Sequence, residues 1–185
     1  MNALATIKSR LPDWAKDARL NLDSTLARSS LAPRIAAGTA LAAAVAARSP
    51  ELVAAFRDDA GLEPADARGA IGAAALMAMN NVWYPYVEMA GDADLKSVRA
   101  ELRMSAYANH GGVDKLAFET WALAASIVGK CEFCVASHAK LLRDAGVSTD
   151  ELRDIGRIAA AVNAAAQVLA IPAAIREPAP APVAA

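Results

Sequence analysis

The sequence predicts an all-α protein, and three observations carry that expectation. Apolar residues make up 56 % of the 185, largely alanine. Aromatics are only 5 %, and the β-branched and aromatic clusters that strands prefer are few, whereas alanine is the best helix former. Prolines, glycines and capping residues fall where a series of helices would start and stop. A chain of this length suggests one domain, with enough residues to bury most of its apolar surface. We therefore expect a single-domain bundle of closely packed helices.

The elements follow in order. Pro12 suits the first turn of a helix through Leu22. Ser49-Pro50 reads as an N-cap with proline at N1, and Gly61 closes that helix. Pro64 opens a run from Ala65 to about Tyr84, which Pro85 ends or kinks. Asp92 caps a helix through Leu102, and Tyr107–Gly112 is a loop by composition. Asp114 caps a helix to about Val128, Gly129 breaks it, and a second runs from near Cys131 to Ala145, ended by Gly146. Ser148-Thr149-Asp150-Glu151 is a capping box that starts the last long helix, to about Ile171. The domain spans 1–171. From Pro172 to Ala185 the composition turns to proline and alanine, which predicts a disordered tail. Gly72–Glu88 and Ala122–His138 overlay at an offset of 50, an echo of a duplicated helical hairpin.

The formal net charge is −1, which argues against nucleic-acid or anionic-membrane partners, since both need a basic patch. The apolar run Ile35–Ala47 is too short to span a bilayer, and Ile158–Ile175 holds Asn163, Gln167 and Pro172. The second reads as a buried core helix. Residues 1–30 carry no apolar signal core, so a cytoplasmic protein is expected.

The informative chemistry lies in Cys131-Glu132-Phe133-Cys134 and His138, which hold both cysteines and one of two histidines. On one helix the three share a face. Two thiols at this spacing can close a disulfide. A cysteine at a helix start is easier to ionise, and the thiolate is the reactive form. Cys131 is expected at the accessible helix start, with Cys134 one turn deeper beside His138. A nearby imidazole can take or return the thiol proton.

Glu119 lies ten residues before Gly129 and His138 nine after it. If the helices fold back at Gly129, each stands about 14 Å from the turn at 1.5 Å per residue. A carboxylate among Leu116, Phe118, Trp121 and Leu123 needs a partner. On the residues alone three readings stay open: redox chemistry, a zinc site with His110 or an acid completing the set, and cysteines serving as small buried apolar residues. His110, in a glycine loop, reads as a solvated histidine. Trp14, Trp83, Trp121, Met77 and Met79 read as core. Tyr84 and Glu88 stand in the first half where Cys134 and His138 stand in the second.

With Glu119, eleven residues, Cys131-x-x-Cys134, three residues and His138, the chain resembles the alkyl hydroperoxide reductase AhpD family of the carboxymuconolactone-decarboxylase-like superfamily. Leu11–Asp17, Leu20–Leu22 and Met77–Tyr84 add to the likeness, and the tail does not. The resemblance implies an all-helical homotrimer and a thiol-dependent peroxidase that also reduces the peroxiredoxin AhpC. It implies no bound cofactor. Dihydrolipoamide would be the electron donor, carried on a dihydrolipoyl acyltransferase and recharged by lipoamide dehydrogenase. Cys134 would attack the organic hydroperoxide and become a sulfenic acid. Cys131 would donate a proton and then resolve the sulfenic acid as a Cys131–Cys134 disulfide. His138 and Glu119 would relay protons. One familiar version of the pattern has a histidine just before the second cysteine. Here that residue is Phe133, which relays no proton. A protein-disulfide reductase with little peroxidase activity, and a non-catalytic scaffold or zinc-binding module, are the competing readings. The decarboxylases of the wider superfamily have no need of a thiol pair.

Overall fold

The computed structural model describes residues 3–59 and 61–176. In chain order the helices are α1 (Ala3–Ser9), α2 (Lys16–Ala27), α3 (Pro33–Ala46), α4 (Pro50–Asp59), α5 (Pro64–Ala90), α6 (Ala93–Ser97), α7 (Ser105–Ala108), α8 (Lys115–Gly129), α9 (Glu132–Asp144), α10 (Thr149–Ala170) and α11 (Ala173–Arg176). Short 3-10 turns cover Asp13–Ala15 and His110–Gly112. No strand occurs among the described residues, and the fold is all-α as predicted.

Helix α8 is the centre of the bundle, packed on α3, α5, α9 and α10. Its residues from Ala117 to Ser126 are all buried. The small side chains explain how. Ala40–Ala44 of α3 are fully buried, and Gly38 lies so close to the indole of Trp121 that a Cβ there would collide with the ring. Trp121 Nε1–H also donates to the Ile35 carbonyl at 3.3 Å. Arg34 of α3 fastens the same faces from the rim. It donates twice to Asp66 of α5, at 2.7 Å each, and to Asp114, the cap of α8, at 3.0 Å.

Several caps match expectation. The Asp114 carboxylate accepts from Ala117 N–H at 2.8 Å, and Asp92 accepts from Asp94 and Leu95. Ser148 and Glu151 form a reciprocal capping box at the start of α10. Other expectations give way to tertiary context. Pro85 neither ends nor breaks its helix: α5 runs on to Ala90 and stops at Gly91, left-handed at φ 64°. The turn after Pro85 is held by buried Val87 and by Glu88, whose carboxylate accepts from Lys96 of α6 at 2.7 Å. Helix α6 stops at Ser97, not Leu102, because it buries no residue and Val98 is extended. The expected loop Tyr107–Gly112 contains the second half of α7 and a 3-10 turn.

Gly129 is the last residue of α8, and the left-handed residue is Lys130, φ 56°. A Cβ on Gly129 would collide with the Asn81 side chain of α5. Met79, the counterpart of Gly129 at the offset of 50, sits mid-helix, so the first half has no break and the hairpin echo does not persist in the structure. Of the tail 172–185, residues 177–185 lie outside the described residues. Its first residues form α11, whose Arg176 carbonyl accepts from Trp14 Nε1–H at 3.3 Å. Trp14 itself is mainly exposed, not core. No helix among the described residues is long and apolar enough to cross a membrane.

Candidate active site

Cys131 is the N-cap of α9, with extended backbone, and its Sγ accepts from Cys134 N–H at 3.2 Å. The reversal that places it there starts at Lys130 and is closed by Cys131 N–H donating to the Ser126 carbonyl at 3.3 Å. Cys131 and Cys134 are joined as a disulfide, with their Cα atoms 5.2 Å apart.

The expected accessibility of Cys131 is not met. Cys131, at the helix start, is completely buried, because that start is tucked under the end of α8. Cys134 lines a cavity of about 190 Å³ together with His138, Tyr84, Met104, Tyr107 and Phe133. Cys134 is buried as well, and of the two cysteines it is the one that lines the cavity.

Glu119 and His138 meet across the α8–α9 hairpin. His138 Nδ1 lies 2.6 Å from Glu119 Oε2, with both side chains buried. Burial pushes the Glu119 pKa up, but the hydrogen bond and charge of His138 pull it down further. With help from Tyr107 and Lys115 the net result is below the ordinary carboxylate value. Glu119 Oε1 has no well-formed hydrogen bond. The Tyr107 phenol approaches this carboxylate and is pushed up to about 12, by burial first and by Glu119 next.

The other ring nitrogen of His138 has a partner that the sequence did not suggest. Nε2 is 3.2 Å from the Met77 thioether on α5. A thioether only accepts, so in a hydrogen bond across this contact Nε2 is the donor. His138 is thus held at both ends, and Met77, expected as plain core, is core with a polar duty.

Phe133 is half exposed and stacks on Tyr84 of α5, ring centroids 4.3 Å apart and planes at 24°. His110 lies away from this chemistry, in edge contact with the rings of Tyr107 and Phe118 at 6.4 and 6.1 Å. Among the described residues no three His, Cys, Asp or Glu side chains converge as metal ligands. Glu88 pairs with Lys96 on the surface. Met77, Tyr107 and Met104 escaped sequence reasoning because they arrive from other elements, with no spacing that ties them to the cysteines.

An all-helical chain with a Cys-x-x-Cys disulfide at a helix start, backed by a buried Glu–His pair, defines a dithiol–disulfide type of protein. Residues 93–177 match the carboxymuconolactone decarboxylase family. Almost the whole chain is similar to proteins named alkyl hydroperoxide reductase AhpD. That of Rhodospirillum centenum is 44 % identical over 175 residues, covering 94 % of both chains. That of Streptomyces avermitilis is 41 % identical over 177 residues, 95 % of this chain and 99 % of its own. That of Anaeromyxobacter dehalogenans is 44 % identical over 171 residues, 91 % of both. The chain belongs to the AhpD family.

Proposed function

We propose that this protein is a thiol-dependent alkyl hydroperoxide reductase that cycles Cys131 and Cys134 between dithiol and disulfide. The observation that carries the reading is the disulfide itself, with Cys134 facing a cavity beside the Glu119–His138 pair. In the dithiol form the Cys134 thiolate attacks the distal oxygen of an organic hydroperoxide. The O–O bond breaks, the alkoxide takes a proton and leaves as the alcohol, and Cys134 becomes a sulfenic acid. Cys131 donates that proton and, as thiolate, attacks the Cys134 sulfur. The hydroxyl leaves as water and the disulfide forms. His138 and Glu119 move the protons between these steps.

Two electrons must then return. Dihydrolipoamide supplies them by exchange: its thiolate attacks the Cys134 sulfur, and its second thiol releases lipoamide and restores the dithiol. A lipoylated dihydrolipoyl acyltransferase and lipoamide dehydrogenase would recharge it. The dithiol would pass electrons to the peroxiredoxin AhpC in the same way, and the protein would work as a cytoplasmic homotrimer.

The test is peroxide consumption with dihydrolipoamide, alongside mass spectrometry of the Cys131–Cys134 pair. Cys134→Ser should abolish turnover while the helical circular-dichroism signal persists. Turnover at the wild-type rate in that variant would end the proposal. A second reading is favoured by Phe133, whose ring offers no proton where a relative of this pattern carries histidine. On that reading the protein mainly reduces a partner's disulfide. Turnover that requires added peroxiredoxin would select it.

A further inference from the structure

Aromatic side chains are scarce in this chain: three Trp, three Tyr and three Phe. Yet Trp83, Tyr84 and Phe133 converge on one groove of about 690 Å³ on the surface beside the Cys134 cavity. Three residues, Tyr84, Met104 and Phe133, line both spaces. The Tyr84–Phe133 stack therefore borders both, and Phe133 keeps half its surface open. The rest of the groove is largely aliphatic, with Val87, Leu95, Val98 and Leu102 on its walls. Its charges balance. Glu88 and Lys96 pair at 2.7 Å, and the lining holds one further residue of each sign, Arg99 and Glu101. An uncharged, apolar ligand fits this lining better than an ion.

We propose that the Tyr84–Phe133 stack is the specificity element of the site, seating the aryl group of an uncharged aryl-alkyl hydroperoxide in the outer groove while its peroxide reaches Cys134. This rests on the peroxidase reading and names the class of substrate for it. Aromatic groups gain from offset or edge contact with such rings by roughly 0.5–1.5 kcal/mol beyond burial alone. That range corresponds to about twofold to twelvefold in affinity. Hydrogen peroxide has nothing to place in the groove, so the stack favours the bulky substrate. The alcohol product keeps the aryl group and leaves by the same groove.

Two measurements test the assignment separately from the activity. The unreactive product alcohol 2-phenyl-2-propanol should bind the oxidised protein and change the fluorescence of Trp83, a response lost in Trp83→Phe. Phe133→Ala should weaken that binding severalfold, and Met104→Ala should weaken it as well. In turnover, the ratio of kcat/KM for cumene hydroperoxide to that for hydrogen peroxide should fall severalfold in Phe133→Ala. Binding and ratio both unmoved would overturn the proposal. A loss confined to disulfide reduction by dihydrolipoamide would assign the groove to the electron donor and overturn it too. If wild-type protein binds the alcohol through Phe133 but consumes no peroxide, the groove assignment stands and the peroxidase reading falls.

Discussion

At the scale of single residues, the site is a buried carboxylate, an imidazole and a thioether in a row. Glu119 and Met77 come from different helices and grip opposite nitrogens of His138. Met77 is almost wholly buried, so its substitution has a packing part and a polar part that can be separated. Met77→Leu nearly conserves volume and should cost less than about 1.5 kcal/mol of stability. It removes the acceptor at Nε2, so the imidazole ¹⁵N spectrum of His138 should change. An unchanged spectrum would show that the sulfur is a mere neighbour. Of these three groups the sequence suggested two. Glu119 and His138 could be paired by counting outward from Gly129, because two helices joined by a tight reversal keep equal rise on both sides. Met77 could not be found that way, since its approach depends on how α5 is rotated against α9.

At the scale of elements, the α8–α9 reversal decides where the cysteines lie. Its sequence signal was Gly129, and the position was right while the reason was different. Gly129 is helical, and Lys130 takes the left-handed conformation. What Gly129 supplies is room for Asn81, whose Nδ2–H donates to the Ala125 carbonyl at 3.1 Å. Gly129→Ala is expected to force α5 and α8 apart and to cost about 1–3 kcal/mol, read as a lower urea midpoint with an unchanged m-value. Asn81→Ala should relieve much of that loss in the double variant, because it removes the colliding atoms. Pro85 teaches the converse. Its local rule predicts a break, but a single lost hydrogen bond is offset when the following turn carries buried Val87 and a paired Glu88.

At the scale of the whole molecule, closely packed small residues make the bundle and a few buried charges bind its outer connections. Asp154 of α10 is nearly inaccessible. It accepts from Ser30 N–H at 2.7 Å and the Ser30 hydroxyl at 2.9 Å, and it pairs with Arg157 and Arg153. Burial by itself would raise its pKa, but these bonds outweigh it and hold the carboxyl well below the usual range. The folded pKa is thus depressed, and the unfolded chain binds more protons in acid. The stabilisation is present above the unfolded carboxylate value and is lost as pH falls towards the folded one. Asp154→Asn should lower stability at pH 7 and flatten the acid limb of the stability–pH curve, measured by urea titration from pH 7 to pH 3. A limb as steep as that of wild type would place the acid sensitivity elsewhere.

By itself the sequence determined the helical class, the main caps, the Cys-x-x-Cys pair and the family, because these rest on local propensity and fixed spacing along one chain. Only the tertiary structure decided which cysteine lines the cavity, what stands behind His138, and that Phe133 stacks on Tyr84 at the edge of a groove. The physical reason is the same in each case. These features depend on the rotation and depth of one helix against another, which is set by side chains packed in three dimensions and leaves no period in the sequence.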